Sequence, residues 1–183
     1  MRPRALRQVR ACAGAVRDAA PALPHLYRHS LSHLLLLGGS AREREQLALA
    51  FHRESALRTG PFIRVDCSSQ EAQLRMALEW WLARSRRRDG PNPLWSAERG
   101  TLFLDEIDAL SAEVQRLLLA LICRGGAGAS GAERENWAGR LAAGSSEDLA
   151  DAVEEERFLS GLHDGLDKIC VALGAVQQQV GAA

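Results

Sequence analysis

GTLFLDEID, residues 100–108, runs from a glycine through Thr101, Leu102, Phe103 and Leu104 into two adjacent carboxylates, Asp105 and Glu106. A short apolar run bounded by a glycine and by acids reads as a buried strand over Thr101–Asp105. Four apolar residues followed by two acids arise often by chance. What surrounds them gives the stretch its meaning.

Upstream, LLLL at 34–37 ends in Gly38-Gly39, and from Glu45 to Leu57 the apolar residues Leu47, Ala50 and Phe51 recur at helical spacing. Pro61 to Cys67 alternates like a strand, and 70–84 reads as a helix that breaks at RSRRRDGPNP. Downstream, Ser111 opens a helix with half of a capping box, since Val114 stands where the box has glutamate. Val114, Leu117, Leu118 and Leu121 carry its apolar face to Cys123. A glycine-rich loop is expected at 125–136, a fourth strand at 139–144, an acidic helix at 147–157 and a fifth strand at Ile169–Leu173. Strands alternating with helices predict an α/β fold, a mainly parallel sheet covered on both faces. Residues 4–20 read as an amphipathic helix that stops before Pro21 and Pro24.

The chain has 183 residues, 46% hydrophobic and 25% charged, enough for one substantial core. Its 23 basic and 23 acidic residues cancel to a formal net charge of +0, which supplies no global field toward nucleic acid or an anionic membrane. The apolar runs, Leu34 to Leu37 and Leu117 to Cys123 among them, are far below the roughly 20 residues of a membrane span. Cys12, Cys67, Cys123 and Cys170 lie far apart and nothing at the start resembles a signal peptide, so a reduced, cytoplasmic protein is expected.

GTLFLDEID resembles the Walker B element of the AAA+ ATPases that drive sigma-54 transcription activators. The resemblance continues in order from about Leu34 to Leu173, through GPFIRVDCSS at 60–69, His52, VQRLLLALI at 114–122, GRLAAGSSEDL at 139–149 and RFLSGLHDGLD at 157–167. It implies a P-loop NTPase-like (AAA+) three-layer core with a mainly parallel five-stranded sheet. It also implies ATP with magnesium, Asp105 holding the hydrated metal and Glu106 polarising a water.

The same alignment shows what has changed. A working phosphate loop reads G-x-x-x-x-G-K-[ST], its glycines letting backbone N–H groups close on the phosphates and its lysine reaching them. Here the cofactor-binding positions are Gly38, Gly39, Ser40, Arg44 and Glu45, with Ala41 and Glu43 where the family has glycine and Arg44 where it has lysine. Glu43 sets a negative charge beside any phosphate, a repulsion of roughly 1 kcal/mol at ~4 Å in water and about 4 at an effective dielectric of 20. Arg44 keeps a charge but is bulkier and planar. Lys168, the only lysine, comes too late in the chain to replace it. The sensor I position corresponds to Ser146, and the two finger arginines to Leu159 and Gly165. Between Gln73 and Leu94 the family carries the GAFTGA loop that contacts the sigma factor, and this chain has ALEWWLARSRRRDGPNP.

Other features admit plain readings. Asp105 and Glu106 could simply pair with arginine. His25, His29 and His33 recur every four residues and would bind zinc or nickel on a continuous helix, but a solvated or packed stripe is the ordinary outcome. Trp80, Trp81, Trp95 and Trp137 read as core before recognition surface, and RSRRR at 84–88 and EDLADAVEEE at 147–156 as solvated faces.

The sequence thus predicts an N-terminal helix and connector at 1–33, a degenerate AAA+ sigma-54-interaction-like domain at 34–173 without its lid, and a flexible tail at 174–183. The expected function is a non-catalytic pseudo-ATPase that binds a protein partner, such as a catalytically intact AAA+ activator, as a homo- or hetero-oligomer. Neither cofactor, DNA binding nor membrane is expected. The rival is a weak ATP-binding or ATPase subunit of a mixed ring.

Overall fold

A computed structural model of the chain describes residues 32–83, 92–124 and 137–173. The expected α/β architecture is present: five parallel strands in the order β2-β3-β4-β1-β5. They are β1 (Leu34–Gly38), β2 (Phe62–Asp66), β3 (Thr101–Asp105), β4 (Arg140–Ser145) and β5 (Ile169–Leu173). The helices are α1 (Ala41–Glu54), α2 (Cys67–Leu82), α3 (Pro93–Ser96), α4 (Ala112–Arg124), α5 (Leu149–Glu154) and α6 (Ser160–Leu166). A short 3-10 turn, Ile107–Ala109, follows β3.

Alternation along each strand divides the core. Leu34, Leu36, Phe103 and Ala142 point to one face, where Leu47, Ala48 and Phe51 of α1 cover them. Leu35, Leu37, Leu102, Leu104, Leu141 and Ala143 point to the other, against α2, α4 and α6. Strands buried on both faces need continuous apolar sequence, which is why LLLL and TLFL carry so little polar alternation. The result is three layers, helix, sheet and helices.

Two helix starts differ from the periodicity reading. The helix expected from Glu45 begins at Ala41, because Ser40 and Glu43 form a complete capping box four residues earlier. The helix expected from 70 begins at Cys67, because Asp66 caps it by accepting from Ser68 N at 3.0 Å. Gln70 sits outside helical geometry (φ −116°, ψ 18°), and this kink hides the first turn from a periodicity test.

The half-box at Ser111 is completed from elsewhere in the chain. Ser111 Oγ accepts from Val114 N at 3.5 Å, while Ser111 N donates to Glu71 of α2 at 2.8 Å. The carboxylate missing at Val114 is thus supplied by a neighbouring helix. Gln115, buried, donates to the carbonyls of Leu110 (2.8 Å) and Arg157 (3.0 Å) and accepts from Leu159 N (2.8 Å). It fixes the segment before α6 to the start of α4.

No helix of the described residues is long and apolar enough to cross a membrane. The expected helix at 4–20, the glycine-rich stretch at 125–136, the basic run at 84–88 and the tail at 174–183 lie outside the described residues.

Candidate functional site

In an open parallel sheet the crevice beyond the carboxyl ends of the strands is where ligands bind. Here the ends of β1, β3 and β4 meet there, and the sequence fills the meeting point with its own side chains.

β1 ends in Gly38 (φ 73°) and Gly39 (φ 65°), both left-handed. A side chain at Gly38 would come within 2.8 Å of the Leu173 carbonyl oxygen, so the turn needs glycine for space as well as for conformation. Ser40 then caps α1. Its N–H and its hydroxyl both donate to Glu43 Oε2, at 2.9 and 2.8 Å, and Glu43 N donates back to Ser40 Oγ at 3.3 Å. The N–H at the helix entrance therefore meets an internal carboxylate.

One residue further on, Arg44 turns into the crevice and is 1% exposed. Its Nε donates to Asp105 Oδ1 at 2.7 Å and its Nη2 to Glu106 Oε1. Its Nη1 donates to the carbonyl oxygens of Gly39 (3.0 Å) and Gly38 (3.3 Å). The loop thus offers carbonyl oxygens to a cation, the reverse of the N–H groups that a phosphate requires. Burial alone lowers the affinity of this guanidinium for its proton, but the hydrogen bonds and charges of Asp105 and Glu106 outweigh burial and hold it above its ordinary value.

Asp105 is fully buried, and its second oxygen is also engaged: Arg64 Nη2 donates to Oδ2 at 2.9 Å. Arg64 also lies 3.6 Å from Glu45. Glu106 adopts a left-handed backbone (φ 53°, ψ 49°), uncommon for a residue with a side chain. Ser146 donates to its Oε2 at 3.0 Å. Two guanidinium groups, Arg44 and Arg64, thus face two carboxylates, Asp105 and Glu106, and the formal charge of the four sums to zero.

These residues do not fit ATP with magnesium. A metal cation at Asp105 would meet the guanidinium groups of Arg44 and Arg64, which already pair with its two oxygens. A phosphate at the head of α1 would meet the Glu43 carboxylate.

Sequence reasoning brought Gly38, Gly39, Ser40, Arg44, Glu45, Asp105, Glu106 and Ser146 to one place, and the structure groups them there. It missed two members. Arg64 stands beside Phe103 in register, two residues behind Asp105, so only the β2–β3 pairing reveals its reach. Gly144 makes room for the ion pair: a Cβ there would lie 2.8 Å from Asp105 Oδ1 and 3.0 Å from Arg44 Cδ. Gly144→Ala is therefore expected to destabilise the fold by about 1–3 kcal/mol, read as a lower urea midpoint with an unchanged m-value.

Lys168 donates to the Asp164 carbonyl at 2.8 Å, immediately before β5 and so at the opposite edge of the sheet from Asp105. Leu159 packs on the core, and a Cβ at Gly165 would lie 3.3 Å from Ile122 of α4. His25 and His29 lie outside the described residues. His33 accepts from Leu141 N at 3.4 Å, and among the described residues no His, Cys, Asp and Glu group could hold a metal. Trp80 stacks on Trp95 with ring centres 6.5 Å apart, Trp81 packs on the core, and Trp137 donates to the Leu94 carbonyl at 2.8 Å. In the acidic stretch, Glu147 and Glu155 pair with exposed Arg157.

Residues 13–172 match the family model described as the Sigma-54 interaction domain. Among curated proteins, the chain is 33% identical over 144 residues to the Nif-specific regulatory protein of Rhodobacter capsulatus, covering 75% of this chain and 24% of that protein. It is 29% identical over 174 residues to the transcriptional regulatory protein ZraR of Salmonella typhimurium, covering 88% of this chain and 39% of that one. The chain therefore spans about a quarter to two-fifths of the length of these relatives. Among solved structures, NtrX from Brucella abortus in complex with ATP superposes with a TM-score of 0.69 at 21% identity, over 95% of this chain and 39% of that one. The P-loop NTPase domain of an Escherichia coli sigma-54 activator gives 0.53 at 18% identity, over 81% of this chain and 98% of that one. At these identities the likeness is one of fold.

Proposed function

This chain belongs to the sigma-54 interaction domain family, and from that premise we propose that it is a non-catalytic member, a pseudo-ATPase that serves transcription regulation as a protein-binding module. One observation carries the reading. Arg44, standing where the family's lysine is expected, spans Asp105, Glu106 and the Gly38–Gly39 carbonyls, and so joins the ends of β1 and β3.

The chemistry follows from that contact. Hydrolysis in this fold needs a metal on the first carboxylate and a water beside the second. Asp105 is paired with two arginines, one at each oxygen, and Glu106 is held by Arg44 and Ser146. What remains is a three-layer scaffold whose crevice is bridged by its own side chains. A protein partner is its expected ligand, and a catalytically intact AAA+ activator is the first candidate.

Purified protein is expected to turn over ATP no faster than a Glu106→Gln control under multiple-turnover conditions with magnesium. Hydrolysis clearly above that control would sink the reading. Affinity capture followed by mass spectrometry addresses the partner, and recovery of a sigma-54 activator is the expected outcome.

A further inference from the structure

Arg140 opens β4, at the end of the sheet away from Asp105. It is 1% exposed, and its Cζ lies 5.7 Å from the centre of the Phe51 ring. The ring offers a π face to the flat of the guanidinium but no lone pair to its edge. Arg140 Nε and Nη2 are both buried and donate to no acceptor. Leaving charged donors buried and unmatched is costly, so a fold that keeps them there invites a ligand.

Which donors are free indicates the ligand's shape. Nε–H and Nη2–H leave the guanidinium from the same edge and run parallel, the fork that matches the two oxygens of a carboxylate. The neighbourhood favours an anion. His33 immediately precedes β1, and its pKa is pushed down to about 4, first by burial and then by the charges of Arg140 and Lys168. His52 is lowered by burial and, with smaller effect, by Arg140. Thr101, beside Arg140 in register, has its hydroxyl engaged by His52 Nδ1 at 3.0 Å. Among the described residues no carboxylate pairs with Arg140.

We propose that Arg140 is the binding residue of a small-carboxylate site at the N-terminal edge of the sheet, gripping the anion side-on through Nε and Nη2. This site is separate from the Arg44 network and does not depend on whether the chain hydrolyses ATP. Because the guanidinium is buried, the anion enters when this edge opens locally, and exchange is slow.

The test uses the full chain, titrated with sodium formate against sodium chloride at matched ionic strength. The Arg140 Nε–H resonance, assigned through its contact with the Phe51 ring, is expected to move with formate and not with chloride. Tm is expected to rise by roughly 5–10 °C at a hundredfold excess over the dissociation constant. A resonance that stays in place, or one that responds equally to chloride, overturns the proposal. Where Arg140→Lys folds, it is expected to lose the formate response, and a retained response also overturns it.

Discussion

Arg44→Met is expected to destabilise the protein by about 3–5 kcal/mol, because it removes one partner of a buried charge pair and leaves Asp105 uncompensated. Arg64 softens the loss without replacing it, since it reaches only Oδ2 and is itself one-third exposed. Methionine fills much of the same volume, so the deficit reports charge and hydrogen bonds more than a cavity. Asp105→Leu added to Arg44→Met is expected to recover part of it, as apolar replacements of buried ion pairs often do. Urea unfolding of the wild type, both single variants and the double variant measures the coupling. If Arg44→Met were as stable as the wild type, Arg44 would be an ornament of the crevice and not its keystone.

The second large effect is on acid stability. His33 has a folded pKa of about 4 against an ordinary 6.5, with burial as the main cause and Arg140 and Lys168 as the next. A histidine held neutral in the fold binds fewer protons than it does in the unfolded chain throughout that window. Stability therefore rises with pH from about 4 to 6.5, and falls as acid is added across the same range. The shift of about 2.5 units corresponds to at most about 3 kcal/mol, and solvent reaching the half-buried ring reduces it. His52 titrates in the same direction. Unfolding free energies measured between pH 7 and 4.5 are expected to show this slope, and His33→Gln is expected to flatten it. An equal slope in the variant would assign the acid sensitivity to other groups.

Much of the fold was legible because its signals are local. Thr101–Asp105 and Ile169–Leu173 have the bounds their apolar runs suggest; the first is buried along its whole length, and the second, at the sheet edge, is apolar throughout though only partly buried. The starts of α1 and α2 were harder. Apolar periodicity begins only where a helix meets the sheet, at Leu47 in α1, whereas cap chemistry at Ser40 or Asp66 sets the first turn. That Arg44 stands where the resemblance leads one to expect a lysine was equally plain, being one residue in one motif.

What Arg44 does instead was not legible. That its guanidinium meets Asp105, 61 positions away, follows from β1 and β3 ending at the same edge of the sheet. Arg64 reaches the same carboxylate only through the β2–β3 register, and Gly144 matters only as the space across which the pair closes. The fold signals lie within single segments, and the site is assembled between them.

Calorimetric titration of the full chain with Mg·ATP asks whether the crevice is already filled by the chain's own charges. No saturable heat at millimolar nucleotide is the predicted result, with Arg44, Asp105 and Glu106 unchanged. Stoichiometric binding in the micromolar range, lost in Asp105→Asn, would mean that the crevice is open to nucleotide and Arg44 does not close it.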